Sequence, residues 1–347
     1  MRRVAACVAL AASMLGAVVA HGQAPQLREW KKPAAPDSVL DALAGSLAPG
    51  RLAQARVPIQ VLEWGGAPPR PHLVMPGYFA RVPIELDHGA PIVQVKVNGR
   101  GPFRFAISTN LEMVAMSTAL MDSLGIWKQS ADSITFGSVR LDSVRLMQLA
   151  PGGDIVGLLG LRAFESVLMT IEYPRKQLVL VRDSLPPADG MDILTMRRVG
   201  PRWSVPIRIG ERTFDTIVNT ASAEGLDFPL ADTAQVRWSG PLQLVGRAGG
   251  PGAADVTIYG GVLADDATLG RHVIQKPFAR AHTVPGDGAQ NLRIGSEVLQ
   301  NFIFTLDQAH GRARFMRSES DPIVLPDPRN GPPPGTTGGT TQGKRGK

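Results

Sequence analysis

"PIVQVKVNGRGPFRFAISTNLEMVAMSTALMDSLGI" (residues 91–126) is answered further along the chain by "RWSVPIRIGERTFDTIVNTASAEGLDFPLADTAQV" (residues 202–236). Each stretch opens on an alternating apolar strand, Val93, Val95 and Val97 in the first and Val205, Ile207 and Ile209 in the second. Each then turns on glycine, at Asn98-Gly99-Arg100-Gly101 or Gly210-Glu211-Arg212, and runs back through an aromatic-containing strand. Period-two alternation around a glycine turn predicts a β-hairpin. The returning strands end at turns of the same kind, Ser108-Thr109-Asn110 and Asn219-Thr220-Ala221. After the first turn the pattern predicts a helix at once, with Met113, Met116 and Met121 as apolar filler on its inner side.

The parallel continues beyond the turns. "DSITFGSVRLDSVRLMQL" and "DATLGRHVIQKPFARAHT" are strand pairs around a glycine. "GLLGLRAFESVLMTIEYPRKQLVLV" and "LRIGSEVLQNFIFTLDQAHGRARFM" each give a glycine turn, a short helix and a closing hairpin. A doubled unit fixes the expected architecture. We expect an all-β fold of two tandem β-barrel lobes with short helices. The lobes are expected at 81–182 and 201–317, joined by a Pro-containing linker at 183–200. A segment at 25–80 precedes them, with a short capped helix in "DSVLDALAGSL" and extended loop in "EWGGAPPRPHLVMPGY". The Pro-, Gly- and Thr-rich tail at 318–347 is expected to be a disordered tether.

These elements together resemble the retropepsin-like aspartic proteases, specifically bacterial secreted proteins that carry two such units in one chain. The resemblance spans Ile84 to Met316. It rests on the strand–turn–strand leading to each Thr-containing turn, on the apolar pair and glycine of Leu158-Leu159-Gly160, and on "MTIEYPRKQL". It implies that the two turns meet about a pseudo-two-fold axis. Each turn of such an enzyme supplies Asp-Thr-Gly, and the paired aspartates share one proton because adjacent carboxylates cannot both ionise. This chain has Ser108 and Asn219 in place of the two aspartates, and Asn110 and Ala221 in place of the glycines. Thr109 and Thr220 match the family threonine, whose hydroxyl bonds across to the other lobe.

A serine without a basic partner and an asparagine amide are poor replacements for a proton-sharing acid pair. Losing one general acid–base group costs about 10²–10⁴-fold, and here both are missing. The resemblance therefore implies an inactive relative whose inter-lobe cleft binds an extended peptide, with Glu112 and Glu224 as candidate contacts. Two alternatives stand beside it. One is an active endopeptidase with displaced carboxylates such as Asp215; the other is a cell-envelope scaffold. Asn110 tolerates a left-handed backbone better than Ala221 does, which predicts differently shaped turns. Arg293 interrupts the second apolar pair, "LRIG", and predicts different packing behind that turn.

Composition excludes other classes. With 347 residues, 44% hydrophobic and 19% charged, the chain is globular and long enough for two cores. Arg2 and Arg3 precede an apolar run to Ala20, the pattern of a signal peptide ending near residue 24, and so of a secreted or periplasmic protein without a membrane span. Cys7, the sole cysteine, lies in that leader, so no disulfide is expected. The net charge of +7 is scattered, without a basic stripe interleaved with aromatics, and nucleic acid is not an expected partner. His21, His72, His88, His272, His282 and His310 show no metal-ligand spacing, "GGPGAAD" opens no phosphate-binding helix, and no Gly-x-Ser-x-Gly elbow occurs. We expect neither metal nor cofactor, and a monomer with two pseudo-symmetric lobes.

Overall fold

The computed structural model describes residues 27–28, 61–62, 70–149, 154–250, 253–283 and 291–327. The expected signal peptide, the helix expected in "DSVLDALAGSL" and residues 328–347 of the expected tail lie outside the described residues. A short antiparallel pair, β1 (Leu27–Arg28) with β2 (Val61–Leu62), comes first. The first lobe follows as β3 (His72–Val74), β4 (Phe79–Pro83), β5 (Glu85–Asp87), β6 (Ala90–Val97), β7 (Arg100–Ile107), β8 (Val114–Ser117) and α1 (Thr118–Leu124). It continues through β9 (Ser130–Phe136), β10 (Val139–Leu149), β11 (Ile155–Leu159), β12 (Leu168–Glu172) and β13 (Gln177–Val181).

The second lobe comprises β14 (Ile193–Thr195), β15 (Arg197–Val199), β16 (Arg202–Ile209), β17 (Arg212–Val218), β18 (Leu226–Pro229), β19 (Gln243–Gly250), β20 (Ala253–Val262), β21 (Ala267–Leu269) and β22 (His272–Ile274). It ends with β23 (Phe278–His282), β24 (Arg293–Ile294), α2 (Ser296–Leu299), β25 (Ile303–Asp307) and β26 (Arg312–Met316). The fold is all-β, built from two related lobes.

Topology makes the repeat explicit. The first lobe orders its central strands β10-β8-β11-β7-β6, and the second orders them β23-β18-β24-β17-β16. In both, the strand that carries the apolar pair, β11 or β24, runs parallel to the strand entering the Thr-containing turn and antiparallel to the strand leaving it. The alternating valines and isoleucines of β6 and β16 face inward, with Val93, Val95, Val97, Val205 and Ile207 fully buried. One continuous core runs through both lobes. The β6–β7 turn holds Asn98 and Gly99 at φ of 48° and 79°, the mirror-image turn whose twist suits a two-residue hairpin.

A third sheet joins the lobes in the order β14-β26-β25-β12-β13-β4. At its centre β12 and β25 run antiparallel, with Thr170 opposite Thr305 and their hydroxyl oxygens 2.9 Å apart. The register is symmetric about that pair: Met169 faces Leu306, and Ile171 faces Phe304. The pseudo-two-fold axis passes between the two threonines.

Several local expectations are corrected. The chain leaves the first turn as strand β8, and α1 begins only at Thr118, capped by Ser117 Oγ accepting from the Leu120 N–H. Met116 is therefore a buried strand residue, Met121 a buried helix residue, and Met113 a half-buried turn residue. "EWGGAPPRPHLVMPGY" is not wholly loop, because β3 pairs with β10 and Phe79 opens β4. The Pro-containing linker contributes β14 and β15. Of the expected tail, residues 318–327 are described, and there Ile323 and Leu325 pack on the second lobe. The second lobe also has a β19–β20 hairpin with no counterpart between β8 and β10. Neither Asn110 nor Ala221 takes a positive φ, so no glycine-like backbone is demanded of them.

Candidate functional site

The two Thr-containing turns meet at the lobe junction. Thr109 Oγ1 donates to the Val218 carbonyl at 2.6 Å, and Thr220 Oγ1 donates to the Ile107 carbonyl at 2.6 Å. In return each hydroxyl accepts the other threonine's backbone N–H at 3.1 Å. Both side chains are buried. Four reciprocal bonds thus close a small lattice across the axis, with each hydroxyl both giving and receiving. In a low-dielectric interior such a network is stiff, because an unmade bond leaves a desolvated dipole.

The turns hang from equivalent supports. The Ser108 N–H donates to the Leu159 carbonyl (3.0 Å), and the Asn219 N–H to the Ile294 carbonyl (2.9 Å). Gly160 and Gly295 lie directly behind them. A Cβ on Gly160 would stand 2.1 Å from the Met113 carbonyl oxygen, and one on Gly295 would stand 2.3 Å from that of Glu224. Only glycine permits that approach. The second turn has a further brace, Ser296 Oγ donating to the Thr220 carbonyl at 2.7 Å.

Ser108 and Asn219 therefore head two superposable turns in contact through the next residue. Ser108 is 1% exposed and Asn219 1%. Among the described residues, Ser108 Oγ and Asn110 Oδ1 are buried without a hydrogen-bond partner. Asn219 Oδ1 accepts the Ala221 N–H (3.2 Å), a local turn that ties the amide to its own backbone. Asp215 lies four residues earlier on β17, 41% exposed, with its carboxylate 3.6 Å from Arg197. Its counterpart Arg104 makes the charge-reversed pairing with Asp87 at 3.2 Å. Asp215 belongs to this surface ion pair.

The two glutamates beyond the turns are held within their own lobes. Arg162 donates through Nε (3.0 Å) and Nη2 (2.7 Å) to Glu112 Oε1. Arg280 donates through Nη1 to Glu224 Oε1 at 2.6 Å.

Behind the second turn is a group that sequence reading did not assemble. Asp227 Oδ2 accepts from Arg293 Nε (3.1 Å) and Nη2 (2.6 Å), while Asp227 Oδ1 lies 2.8 Å from His282 Nδ1. Arg293 Nη2 also reaches His282 Nε2 at 3.1 Å. Because Arg293 can only donate, Nε2 accepts and Nδ1 carries the proton toward Asp227. Burial opposes ionisation of Asp227, but Arg293 and His282 outweigh it and hold the carboxyl well below its ordinary range. Burial, reinforced by Asp227, raises Glu224 against the pull of Arg280 and Arg293. Burial likewise pushes Glu297 up to about 7, with Arg280 resisting and Glu224 adding to the rise. The strand registers make Ala115, Leu158 and Leu149 the first-lobe counterparts of Asp227, Arg293 and His282. Those three pack in a wholly apolar cluster. Arg293, interrupting an apolar pair, was the one signal of the exchange.

The symmetric turns, the shared strand order and the joining six-stranded sheet form a two-lobed aspartic-protease-like fold. Among solved structures, a retropepsin-like aspartic protease from Rickettsia conorii is similar at 16% identity and a TM-score of 0.24, over 32% of this chain and 91% of that one. Basic 7S globulin from soybean is similar at 10% identity and a TM-score of 0.40, over 71% of this chain and 96% of that one. No protein-family model and no curated protein matches the chain. Among the described residues no helix is long and apolar enough to cross a membrane.

Proposed function

We propose that this is a secreted or periplasmic aspartic-protease-like protein that has lost carboxylate-driven peptide hydrolysis and binds an extended polypeptide between its lobes. One observation supports this reading above the others. The threonine lattice that aligns the two turns is complete, whereas the residues it aligns, Ser108 and Asn219, have no carboxyl group. Water attack on an amide by the paired-acid route needs one group to take a proton and another to polarise the carbonyl. An alcohol and an amide can donate a hydrogen bond to the carbonyl, but neither takes a proton from water at pH 7 or below. An extended chain entering such a cleft would be held by main-chain pairing and side-chain pockets.

The test is incubation of the purified mature chain with unfolded polypeptides between about pH 3 and 7, the range in which carboxylate pairs titrate. No pepstatin-sensitive cleavage is expected, and its appearance would end the proposal. The combined variant Ser108→Asp, Asn110→Gly, Asn219→Asp, Ala221→Gly should then gain pepstatin-sensitive activity, since the supporting turns are in place.

A further inference from the structure

The chain does not leave the second lobe at the end of β26. Ile323 pairs in parallel with Ile274 on β22, its N–H donating to the Val273 carbonyl and its carbonyl accepting from the Gln275 N–H, both at 2.8 Å. β22 is the outermost strand of the ten-stranded sheet. The segment therefore covers an edge whose unpaired backbone groups would otherwise recruit another strand. Two residues later Leu325, itself buried, comes down over the second turn. A Cβ on Gly225 would meet Glu297 Oε2 at 2.8 Å and Leu325 Cδ1 at 2.9 Å, so the carboxyl and the leucine methyl share one small space above that glycine.

The charged groups around this space lie on the turn, on β18, β23 and β24, and on the segment itself, which carries Glu319, Asp321 and Asp327 and follows Arg317, bonded to Glu319 and the Asp321 carbonyl. Glu224 stands on the turn, with its carbonyl accepting the Glu297 N–H at 3.2 Å. Arg280 reaches in from β23 and bonds Glu224. Asp227 on β18, His282 on β23 and Arg293 on β24 form the neighbouring triad, in which the aspartate and the arginine satisfy one another. Arg280 acts on both glutamates, and Arg293 adds to its pull on Glu224. With Glu297 neutral, Glu224 is the one glutamate there that can add charge beside Arg280. With Glu297 ionised, a second, half-buried carboxylate stands beside the Leu325 methyl. A half-buried carboxylate set against an apolar methyl is incompletely solvated, and moving the cover restores its water.

We propose that residues 318–327 form a proton-controlled strap, seated across β22 and the second turn while Glu297 holds its proton and lifted when Glu297 ionises. Lifting it bares the β22 edge. Burial and Glu224 hold the Glu297 ionisation near neutrality, so the strap is closed in acid and open in mildly alkaline medium. This inference is independent of whether the cleft binds peptide or hydrolyses it.

The test is residue-resolved amide hydrogen exchange on the full chain at about pH 5 and about pH 8, corrected for intrinsic exchange; each pH unit between the ordinary glutamate value of 4.5 and the seated value of about 7 is worth about tenfold, and the effect levels off above it. The Ile323 and Gln275 amides should lose about tenfold to a hundredfold protection at the higher pH on that scale, while the amides of β12 keep theirs. Glu297→Gln, which cannot ionise, should keep both amides protected at both pH values. Equal protection at the two pH values in the unaltered chain would overturn the proposal, as would an equal loss across β12 or the same loss in Glu297→Gln. If that variant does not fold, the unaltered chain decides alone.

Discussion

Thr109 and Thr220 show how much can rest on one hydroxyl. Each donates to a carbonyl and accepts an amide from the opposite lobe. Removing either hydroxyl leaves two buried backbone groups without a partner, at about 1–3 kcal/mol apiece. Thr220→Ala should therefore lower unfolding free energy in urea by about 2–6 kcal/mol on that scale. Thr109→Ala should do the same. The double variant should cost less than the sum, because both residues belong to one network. Additive losses would show that the lattice is not shared. The Asp227 triad makes the opposite case. Asp227→Ala leaves Arg293 buried without its anion and should cost about 3–5 kcal/mol. Replacing the triad by its first-lobe equivalents, Asp227→Ala, Arg293→Leu and His282→Leu together, should be far milder than Asp227→Ala alone. Denaturant midpoints of the two variants decide it.

At the scale of elements, the two turns depend on how closely their backing strands approach. Gly160 and Gly295 stand where a methyl group would overlap a carbonyl oxygen. Gly160→Ala must push β11 away from the turn after Ser108, at about 1–3 kcal/mol or more for an overpacked contact. The same change at Gly77, where a Cβ meets nothing within 4 Å, should be nearly silent. Thermal melts of the two variants compare them directly. The elements also show where local reading reaches its limit. Val114, Ala115 and Met116 could pattern as helix or strand over so short a run, and β8 is a strand because β10 and β11 flank it. The β3, β14 and β15 strands were missed for the same reason. They are three residues long, and β3 and β14 are defined by partners distant in sequence, whereas β15 is a short hairpin arm against β16.

The whole molecule responds to pH through opposing groups. Glu297 and Glu224 are raised in the fold, so the folded chain binds more protons than the unfolded one above the ordinary glutamate value of 4.5. Their contribution is full below 4.5 and lost as pH climbs toward about 7. Asp227 is lowered, so its contribution is present above the unfolded value of 3.8 and lost as pH falls through the acid range. Melting temperature should peak in mild acid and decline on both sides. Glu297→Gln should flatten the neutral limb and leave the acid limb in place. A melting temperature that rises steadily from about pH 4.5 to 7, the window of the Glu297 shift, would contradict this account.

From residues alone came the doubled unit, the hairpins, the glycines behind the turns and the absence of a carboxylate at both tips. Each of these is written in period, turn chemistry or identity among neighbours. Tertiary structure decided the pairing of the threonine hydroxyls with carbonyls 109 and 113 residues away. It also decided the gathering of Asp227, His282 and Arg293 from three strands, and the docking of Ile323 and Leu325 on the second lobe. The physical reason is the same in each case. A backbone turn is specified by a few adjacent residues, but the partner of a buried charge or hydroxyl is specified only once the sheets have brought distant strands side by side.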